Sequence, residues 1–208
     1  MSKQDRFPAI ILAGGQSRRM GREKTQMLLG GKPLIAHILH RLRSQADPVW
    51  SNAPTDYPLD LGLPNYPDPL PDRPGPLAGV LAGLIALEQH GERYSHILTV
   101  PGDTPFLPLD LVDRLSAEAT TGTIILAASG GRTHPVIALW PRNLASDLKV
   151  WLDDPDHRRV FDFAERHPRV IVDFPMIKTE MGPRDPFFNI NTPEDLAQAE
   201  ALLQKGIG

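Results

Sequence analysis

The feature that most constrains the fold is a short apolar run near the start of the chain. Residues 7–13 read FPAIILA and stop at Gly14-Gly15, with no polar residue among them. A strand with one solvated face alternates apolar and polar side chains, whereas a strand buried on both faces is apolar throughout. The run therefore predicts a central strand of a parallel sheet that is covered by helices on both sides.

The rest of the chain alternates segments typical of strands with segments typical of helices. Further strands are predicted at residues 48–52, 95–100, 122–127, 135–140 and 169–174, and a short extended piece at 187–191. Helices are predicted at residues 33–45, 77–89, 108–119, 143–152, 158–166 and 193–203, with Pro33 in the first turn of the first one and Thr192 as N-cap of the last. Such alternation indicates βαβ units. We expect one domain over residues 1–208, a three-layer α/β/α sandwich around a mostly parallel, Rossmann-like sheet.

A proline-rich stretch interrupts this pattern. Residues 54–76 contain eight of the 22 prolines of the chain, at positions 54, 58, 64, 67, 69, 71, 74 and 76. Because proline fixes φ and lacks a backbone N–H, the stretch cannot form a regular central strand or helix. Long loops in compact domains are usually functional or disordered, and the fixed φ angles predict a preset, extended path.

Composition excludes several kinds of protein. The chain has no cysteine, which excludes disulfides, iron–sulfur clusters, thiolate zinc sites and a cysteine nucleophile, and which suits a reducing cytoplasm. Its 22 Lys and Arg residues are balanced by 25 Asp and Glu residues, so no broad basic face for nucleic acid is indicated. No signal peptide and no apolar run of about 18 residues is visible. We expect a cytoplasmic protein with no nucleic-acid or membrane partner.

The loop that follows the first strand concentrates positive charge. Residues 14–24 combine Gly14-Gly15 with Arg18, Arg19, Arg22 and Lys24. Glycines let backbone N–H groups approach a ligand closely, and the basic side chains can neutralise a triphosphate. The spacing fits neither a Walker A loop nor a dinucleotide fingerprint. The alternative is a solvated turn with ordinary surface charges.

Two other polar residues are expected at the same edge of the sheet. Asn52 ends the strand at 48–52, and Asp103 lies in the PGDT turn after the strand at 95–100. Because parallel strands end at one edge, where ligands bind, both should lie near the basic loop. A carboxylate beside a phosphate-binding loop is a typical Mg²⁺ ligand, although an Asp can also serve only to stabilise a turn.

The first motif resembles that of a known group of enzymes. Residues 12–24 fit L-A-G-G-x-S-x-R-M-G-x-x-K, the signature of small nucleotidyltransferases that join a nucleoside triphosphate to a phosphorylated acceptor. Narrower similarity lies in GGKPL at 30–34, NAP at 52–54, PDPLPDRPGPLAG at 67–79, PGDTPFLP at 101–108, HPVIALW at 134–140 and FFNINTPEDL at 187–196. Over about residues 8–200 the chain resembles the molybdenum cofactor guanylyltransferase family.

The resemblance implies a fold of the nucleotide-diphospho-sugar-transferase type and a reaction. GMP would pass from GTP to the phosphate of molybdopterin with Mg²⁺, giving the guanine dinucleotide cofactor and pyrophosphate. Partners would include cofactor-synthesis proteins and the molybdoenzymes that receive the product. Alternatives are a cytidylyltransferase acting on the same cofactor, a sugar- or polyol-phosphate nucleotidyltransferase, and a non-catalytic nucleotide-binding module.

The resemblance also implies roles for individual residues, which are carried over by position in the motifs. Nucleotide binding falls to Leu12, Ala13, Gly14, Gly15, Lys24, Asn52, Asp68 and Asp103. Arg19 and Lys24 would neutralise phosphate charge, and Asp103 would bind Mg²⁺. Asp68 is chosen because it stands seven residues before Gly75 in G-P-L-A-G, with Asp72 as a competitor. Asn189 and Asn191 would lie on the acceptor side.

Overall fold

The chain forms a six-stranded sheet flanked by helices. The computed structural model describes residues 6–13, 27–57, 60, 62–70, 75–180 and 182–206. The strands are β1 (Ala9–Leu12), β2 (Leu28–Leu29), β3 (Lys32–Pro33), β4 (Val49–Asn52), β5 (His96–Pro101), β6 (Ile124–Ser129), β7 (Arg132–Pro141) and β8 (Arg169–Phe174). The helices are α1 (Leu34–Leu42), α2 (Pro76–Gln89), α3 (Leu111–Ser116), α4 (Ala145–Trp151), α5 (Val160–Glu165) and α6 (Pro193–Gln204).

The sheet has the order β4-β1-β5-β7-β6-β8, with β2 and β3 forming a separate hairpin. β1 pairs in parallel with both β4 and β5, as the unbroken apolar run predicts. Helices α1 and α3 pack on the face that carries Ile11. Helices α2, α4 and α5 pack on the opposite face, which carries Ile10. The predicted three-layer α/β/α sandwich with a mostly parallel sheet is confirmed.

Strand β7 is the exception to the parallel order, because it runs antiparallel to β5 and β6. A tight turn at Gly130 and Gly131 joins it to β6, with φ angles of 55° and 79°. A two-residue turn with positive φ at both positions matches the twist of a hairpin, and glycine adopts it without strain. The segment predicted as a strand at 135–140 is therefore part of a hairpin with β6, and no helix lies between the two strands.

Several element boundaries differ from the predicted ones. Helix α3 is shorter than the predicted 108–119, and Pro33 is the N-cap of α1 and does not lie in its first turn. Residues 187–191 form a turn and an irregular segment without strand pairing. The cap of α6 is as predicted, since Thr192 Oγ1 accepts a hydrogen bond of 3.1 Å from Asp195 N. Within the described ranges, no helix is both long and apolar enough to cross a membrane.

Candidate active site

The carboxyl ends of β1, β4 and β5 bring the predicted site residues to one edge of the sheet. Leu12 stands in register with Asn52 on one side and with Pro101 on the other. Beyond the strands, Ala13 N donates to Asn52 O at 2.8 Å and Gly102 N donates to Leu12 O at 3.0 Å. The loop that carries Asp103 therefore begins beside the end of β1, as the sequence predicts.

Asn52 and Asp68 form a hydrogen-bonded pair at this edge. The Asn52 side chain is 4% exposed, and its Nδ2 donates to Asp68 Oδ1 and to Tyr66 O, both at 2.9 Å. Burial raises the pKa of the Asp68 carboxyl, and the hydrogen bond from Asn52 opposes that rise. The two residues predicted to hold the nucleoside are thus in direct contact, although 16 residues separate them in sequence.

The proline-rich loop places Asp68 by running alongside β4. Ser51 N donates to Pro64 O at 3.0 Å, and Tyr66 N donates to Ser51 O at 2.8 Å. The side chain of Asn65 makes two hydrogen bonds to the backbone of Ala53, the residue that follows β4. Its Oδ1 accepts from Ala53 N at 3.0 Å, and its Nδ2 donates to Ala53 O at 3.1 Å. These bonds give residues 64–66 the extended path that their neighbouring prolines favour.

The start of α2 closes the other side of the Asn52 pair. Gly75, the N-cap, has a φ of 151°, and Pro76 occupies the first helical turn, where its missing N–H costs nothing. A Cβ on Gly79 would lie 2.5 Å from Asn52 Oδ1 and 2.8 Å from Leu12 Cδ2. Glycine at this position therefore lets the helix approach the ends of β1 and β4, which explains the spacing of G-P-L-A-G.

Asp103 lies between this region and the segment that carries the two predicted acceptor-side asparagines. Its Oδ1 is buried, and its backbone carbonyl accepts a hydrogen bond of 3.0 Å from Ile190 N. Thr104 Oγ1 donates to Asn189 Oδ1 at 2.7 Å. Asn189 is thereby held beside the Asp103 loop, whereas Asn191 lies at the start of α6, where its N donates to Asp195 Oδ2 at 2.9 Å.

Several predicted residues lie outside the described part of the chain. They are Gly14, Gly15, Arg18, Arg19, Arg22 and Lys24 of the basic loop, and Asp72 of the proline-rich loop. In the described ranges, no group of three or more His, Cys, Asp or Glu side chains is arranged to hold a metal ion.

A second polar cluster at this edge is not predicted from the sequence. Ser129 Oγ donates to Asp185 Oδ1 at 2.6 Å and lies 2.8 Å from His134 Nε2. Neither Ser129 nor Asp185 falls in a segment that carries the resemblance, and His134 is there only as part of HPVIALW. Two local signals of irregular structure lie nearby, namely Gly130-Gly131, a pair typical of a hairpin turn, and Pro135, which cannot donate to a sheet ladder.

Most of the chain matches a known protein family. Residues 9–170 match the family model described as the MobA-like NTP transferase domain. The chain is therefore a member of the nucleotidyltransferases, in agreement with the motif at residues 12–24.

Individual relatives narrow this class. A molybdenum cofactor guanylyltransferase from Rhizobium meliloti (strain 1021) is 47% identical over 199 residues, which cover 94% of this chain and 91% of the relative. One from Rhizobium rhizogenes is 49% identical over 199 residues, covering 94% and 92%. The chain belongs to the molybdenum cofactor guanylyltransferase family.

A solved structure supports the fold. Molybdopterin-guanine dinucleotide biosynthesis protein A from Archaeoglobus fulgidus superposes with a TM-score of 0.73, at 24% identity, over 96% of this chain and 100% of that one.

Proposed function

We propose that this chain transfers GMP from GTP to the phosphate of molybdopterin, with release of pyrophosphate. The observation that carries the proposal is the gathering of Asn52, Asp68 and Asp103 at one sheet edge. This edge belongs to a chain 47–49% identical to molybdenum cofactor guanylyltransferases over almost its whole length.

The pair of Asn52 and Asp68 supports binding of the nucleoside part of GTP. One oxygen of Asp68 accepts from Asn52, and a carboxylate has several further lone-pair positions for N–H or O–H donors of guanosine. Gly79 keeps α2 close against Leu12, so the backbone at the end of β1 borders the same space. The glycines and basic side chains of residues 14–24 would then contact the triphosphate.

We further propose that Asp103 holds Mg²⁺. The donor chemistry fits, because Mg²⁺ at nucleotide sites takes one or two carboxylates, with phosphate oxygens and water completing the octahedron. The bond from Ile190 N to Asp103 O fixes the backbone of the loop that carries the carboxylate. When bound, the ion would neutralise charge on the α-phosphate and on the leaving pyrophosphate.

The remaining chemistry requires alignment more than proton transfer. The attacking oxygen of the acceptor phosphate is already anionic, so no dedicated general base is needed. In such transfers, positioning and charge neutralisation account for most of the rate enhancement. Arg19 and Lys24 would neutralise phosphate charge, while Asn189 and Asn191 would face the acceptor.

The test is incubation of the protein with GTP, Mg²⁺ and molybdopterin, followed by mass analysis of the products. We expect the guanine dinucleotide and stoichiometric pyrophosphate. Parallel reactions with CTP and with sugar phosphates test the cytidylyltransferase and sugar-phosphate alternatives. GTP binding without pyrophosphate release with any acceptor would contradict the proposal and indicate a non-catalytic module. Omission of Mg²⁺ and chelation test the metal separately.

A further inference from the structure

Ser129, His134 and Asp185 form a compact cluster on the acceptor side of the sheet edge. Ser129 is the last residue of β6 and is 2% exposed, His134 lies in β7, and Asp185 lies between β8 and α6. The His134 and Asp185 side chains are 10% and 29% exposed. The three residues thus join two neighbouring strands to a segment that is distant in sequence.

Counting hydrogens assigns the donors in this cluster. The single hydroxyl hydrogen of Ser129 goes to Asp185 Oδ1 at 2.6 Å, so Ser129 Oγ must accept from His134 Nε2 at 2.8 Å. Neutral His134 therefore carries its proton on Nε2, which also lies 3.4 Å from Asp185 Oδ2. In a hydrolase triad the carboxylate and the hydroxyl contact opposite ring nitrogens. Here both contact Nε2, so the cluster is not a nucleophilic triad.

A bulge in β7 sets the position of His134. The register passes from Leu126↔Ala138 to Ala127↔His134, so residues 135–137 are looped out of the β6 ladder. Pro135 explains the break, because it has no N–H to donate to that ladder. Bulges re-aim side chains and are frequent beside active sites.

A buried chain of hydrogen bonds supports the bulge. Trp140 Nε1 donates to Thr99 Oγ1 at 2.9 Å, and Thr99 Oγ1 donates to Val136 O at 2.6 Å. Thr99 and Trp140 are both fully buried. The Val136 carbonyl, which the bulge removes from regular sheet pairing, therefore still accepts a hydrogen bond. This bond fixes the backbone near His134.

The segment after Asp185 is attached to the sheet edge at both ends. At its start, Asp185 Oδ1 also accepts from Phe187 N at 2.8 Å, and the Phe187 ring lies 4.9 Å from the His134 ring. At its end, Asn189 bonds Thr104 and Ile190 N bonds Asp103 O. The cluster and the Asp103 loop therefore hold residues 185–190 between them.

We propose that Ser129, His134 and Asp185 form a positioning cluster for the phosphorylated acceptor. By fixing the start of residues 185–190, they keep Asn189 beside the Asp103 loop, where the acceptor phosphate must align with the nucleotide. The proposal rests on the proposed function, since it assigns the cluster to one of its two substrates. It places the cluster's effect on acceptor binding and alignment, and not on GTP.

The kinetic test compares Ser129→Ala with Ser44→Ala, which removes an exposed hydroxyl bonded only to Arg41 O among the described contacts. Ser129→Ala should raise the KM for molybdopterin about tenfold, with the KM for GTP within about twofold of wild type, since one hydrogen-bonding group of a satisfied network is lost. Ser44→Ala should change neither constant. Equal effects of Ser129→Ala on both constants, or no effect on the acceptor, would overturn the proposal.

A second pair of variants separates positioning from packing. His134→Gln keeps an N–H donor able to reach Ser129, whereas His134→Leu keeps only bulk. His134→Gln should keep the acceptor KM within about threefold of wild type, whereas His134→Leu should raise it further, because leucine donates no hydrogen bond to Ser129 Oγ. Equal behaviour of the two variants would contradict the assigned hydrogen bonds.

Amide hydrogen exchange without substrates keeps the two proposals distinguishable. In Ser129→Ala, exchange at Phe187 and Ile190 should be about tenfold faster than in wild type, because the segment loses one attachment. If wild type makes no guanine dinucleotide, the proposed function fails and the assignment to an acceptor falls with it, while the exchange data still test the attachment. Unchanged exchange together with dinucleotide synthesis would refute the cluster alone.

Discussion

The proposed nucleotide and acceptor sides of the sheet edge are built in different ways. On the nucleotide side, α2 approaches β1 and β4 so closely that a Cβ on Gly79 would lie 2.5 Å from Asn52 Oδ1. On the acceptor side, side-chain hydrogen bonds join residues far apart in sequence, such as Ser129 with Asp185 across 56 positions and Thr104 with Asn189 across 85. The nucleotide side combines steric fit with the Asn52–Asp68 contact, whereas the acceptor side depends on a network of hydrogen bonds between residues far apart in the chain.

Substitutions should therefore affect the two sides differently. Steric fit in a packed region tolerates almost no added volume, since interiors are as dense as organic crystals. A network of hydrogen bonds instead loses about 1 kcal/mol for an average contact, and more where a buried group is left without a partner. Substitutions on the two sides should therefore separate in their effects on GTP and on the acceptor.

The largest effect is expected at Asp103, where the two sides meet. With both substrates at saturating concentrations, Asp103→Asn should lower kcat at least about 100-fold, which corresponds to a barrier increase of about 2.7 kcal/mol. The fold should survive, because the bond from Ile190 N goes to the backbone carbonyl of Asp103. Asp113→Asn, an exposed carboxylate on α3, is the control. If the variant keeps more than about a tenth of wild-type turnover, the barrier has risen by less than about 1.4 kcal/mol, and this would exclude a metal-binding role.

Two glycines of α2 test whether the nucleotide side depends on close approach. Gly79→Ala should raise the KM for GTP about tenfold or more, because the new methyl displaces Asn52 and Leu12. Gly83→Ala meets Ile10 Cγ2 at 2.9 Å and Ile97 Cδ1 at 3.1 Å, away from the site. It should cost about 1–3 kcal/mol of stability, partly offset by the helix propensity of alanine, and leave the KM for GTP unchanged.

Steady-state kinetics and urea denaturation of the two glycine variants are the measurements. If both lose stability and both keep their affinity for GTP, the close approach at Gly79 has no role in nucleotide binding. The acceptor KM should stay near its wild-type value in both variants, and a selective change in it would contradict the division between the two sides.

Asp68 tests the electrostatics of the nucleotide side with a smaller effect. Burial raises the pKa of its carboxyl above the usual value, so the folded protein binds the proton more tightly than the unfolded chain. Stability contributed by this group therefore falls as pH rises from the usual value through the folded pKa. Asp68→Asn keeps an oxygen for Asn52 and removes the buried charge.

We expect Asp68→Asn to be at least as stable as wild type at about pH 7, while its KM for GTP rises about three- to tenfold through loss of a charged acceptor. Urea denaturation across the acidic range should show the stability difference growing with pH. A variant that is less stable at neutral pH would mean that the carboxylate stabilises the fold as well as the ligand.

Much of the nucleotide side could be predicted from the sequence because its signals are local. The apolar run to Ala13 predicts a strand buried on both faces, and strand ends predict that Leu12, Asn52 and Asp103 meet at one edge. The family resemblance implies Asp68, seven residues before Gly75, with Asp72 as a competitor. The contact between Asn52 and Asp68 was not visible, because it depends on the path of the proline-rich loop along β4.

The acceptor side could not be predicted in the same way. Its cluster depends on β7 turning back at Gly130-Gly131 and on a bulge at Pro135, so that His134 reaches Ser129. Asp185 joins only through tertiary packing of an irregular segment. Periodicity reports which residues are buried, but it carries no information on partners so distant in the chain.

The smallest expected effect compares His96, which is buried, with His134, which is partly buried, at opposite ends of the sheet. Burial lowers the pKa of both His134 and His96. At His134 the effect of burial outweighs the opposite effect of the Asp185 charge. At His96 it outweighs the opposite effect of the hydrogen bond to the Thr123 carbonyl. Arg132 lowers the pKa of His134 further. Each ring is thus neutral in the folded protein while the unfolded chain protonates at about pH 6.5. Stability should be full above that pH and should fall as pH drops below it toward each folded pKa.

Urea denaturation between about pH 5 and 7 should show this slope, and both His96→Gln and His134→Gln should make it shallower. Only His134 belongs to the positioning cluster, so only its substitution should also change the acceptor KM, by up to the roughly threefold expected for His134→Gln. His96 lies at the start of β5, where its Nε2 is 3.2 Å from Thr123 O, at the edge opposite Asp103. An equal effect of both substitutions on the acceptor KM would show that they act through global stability, and would remove the functional distinction between the two histidines.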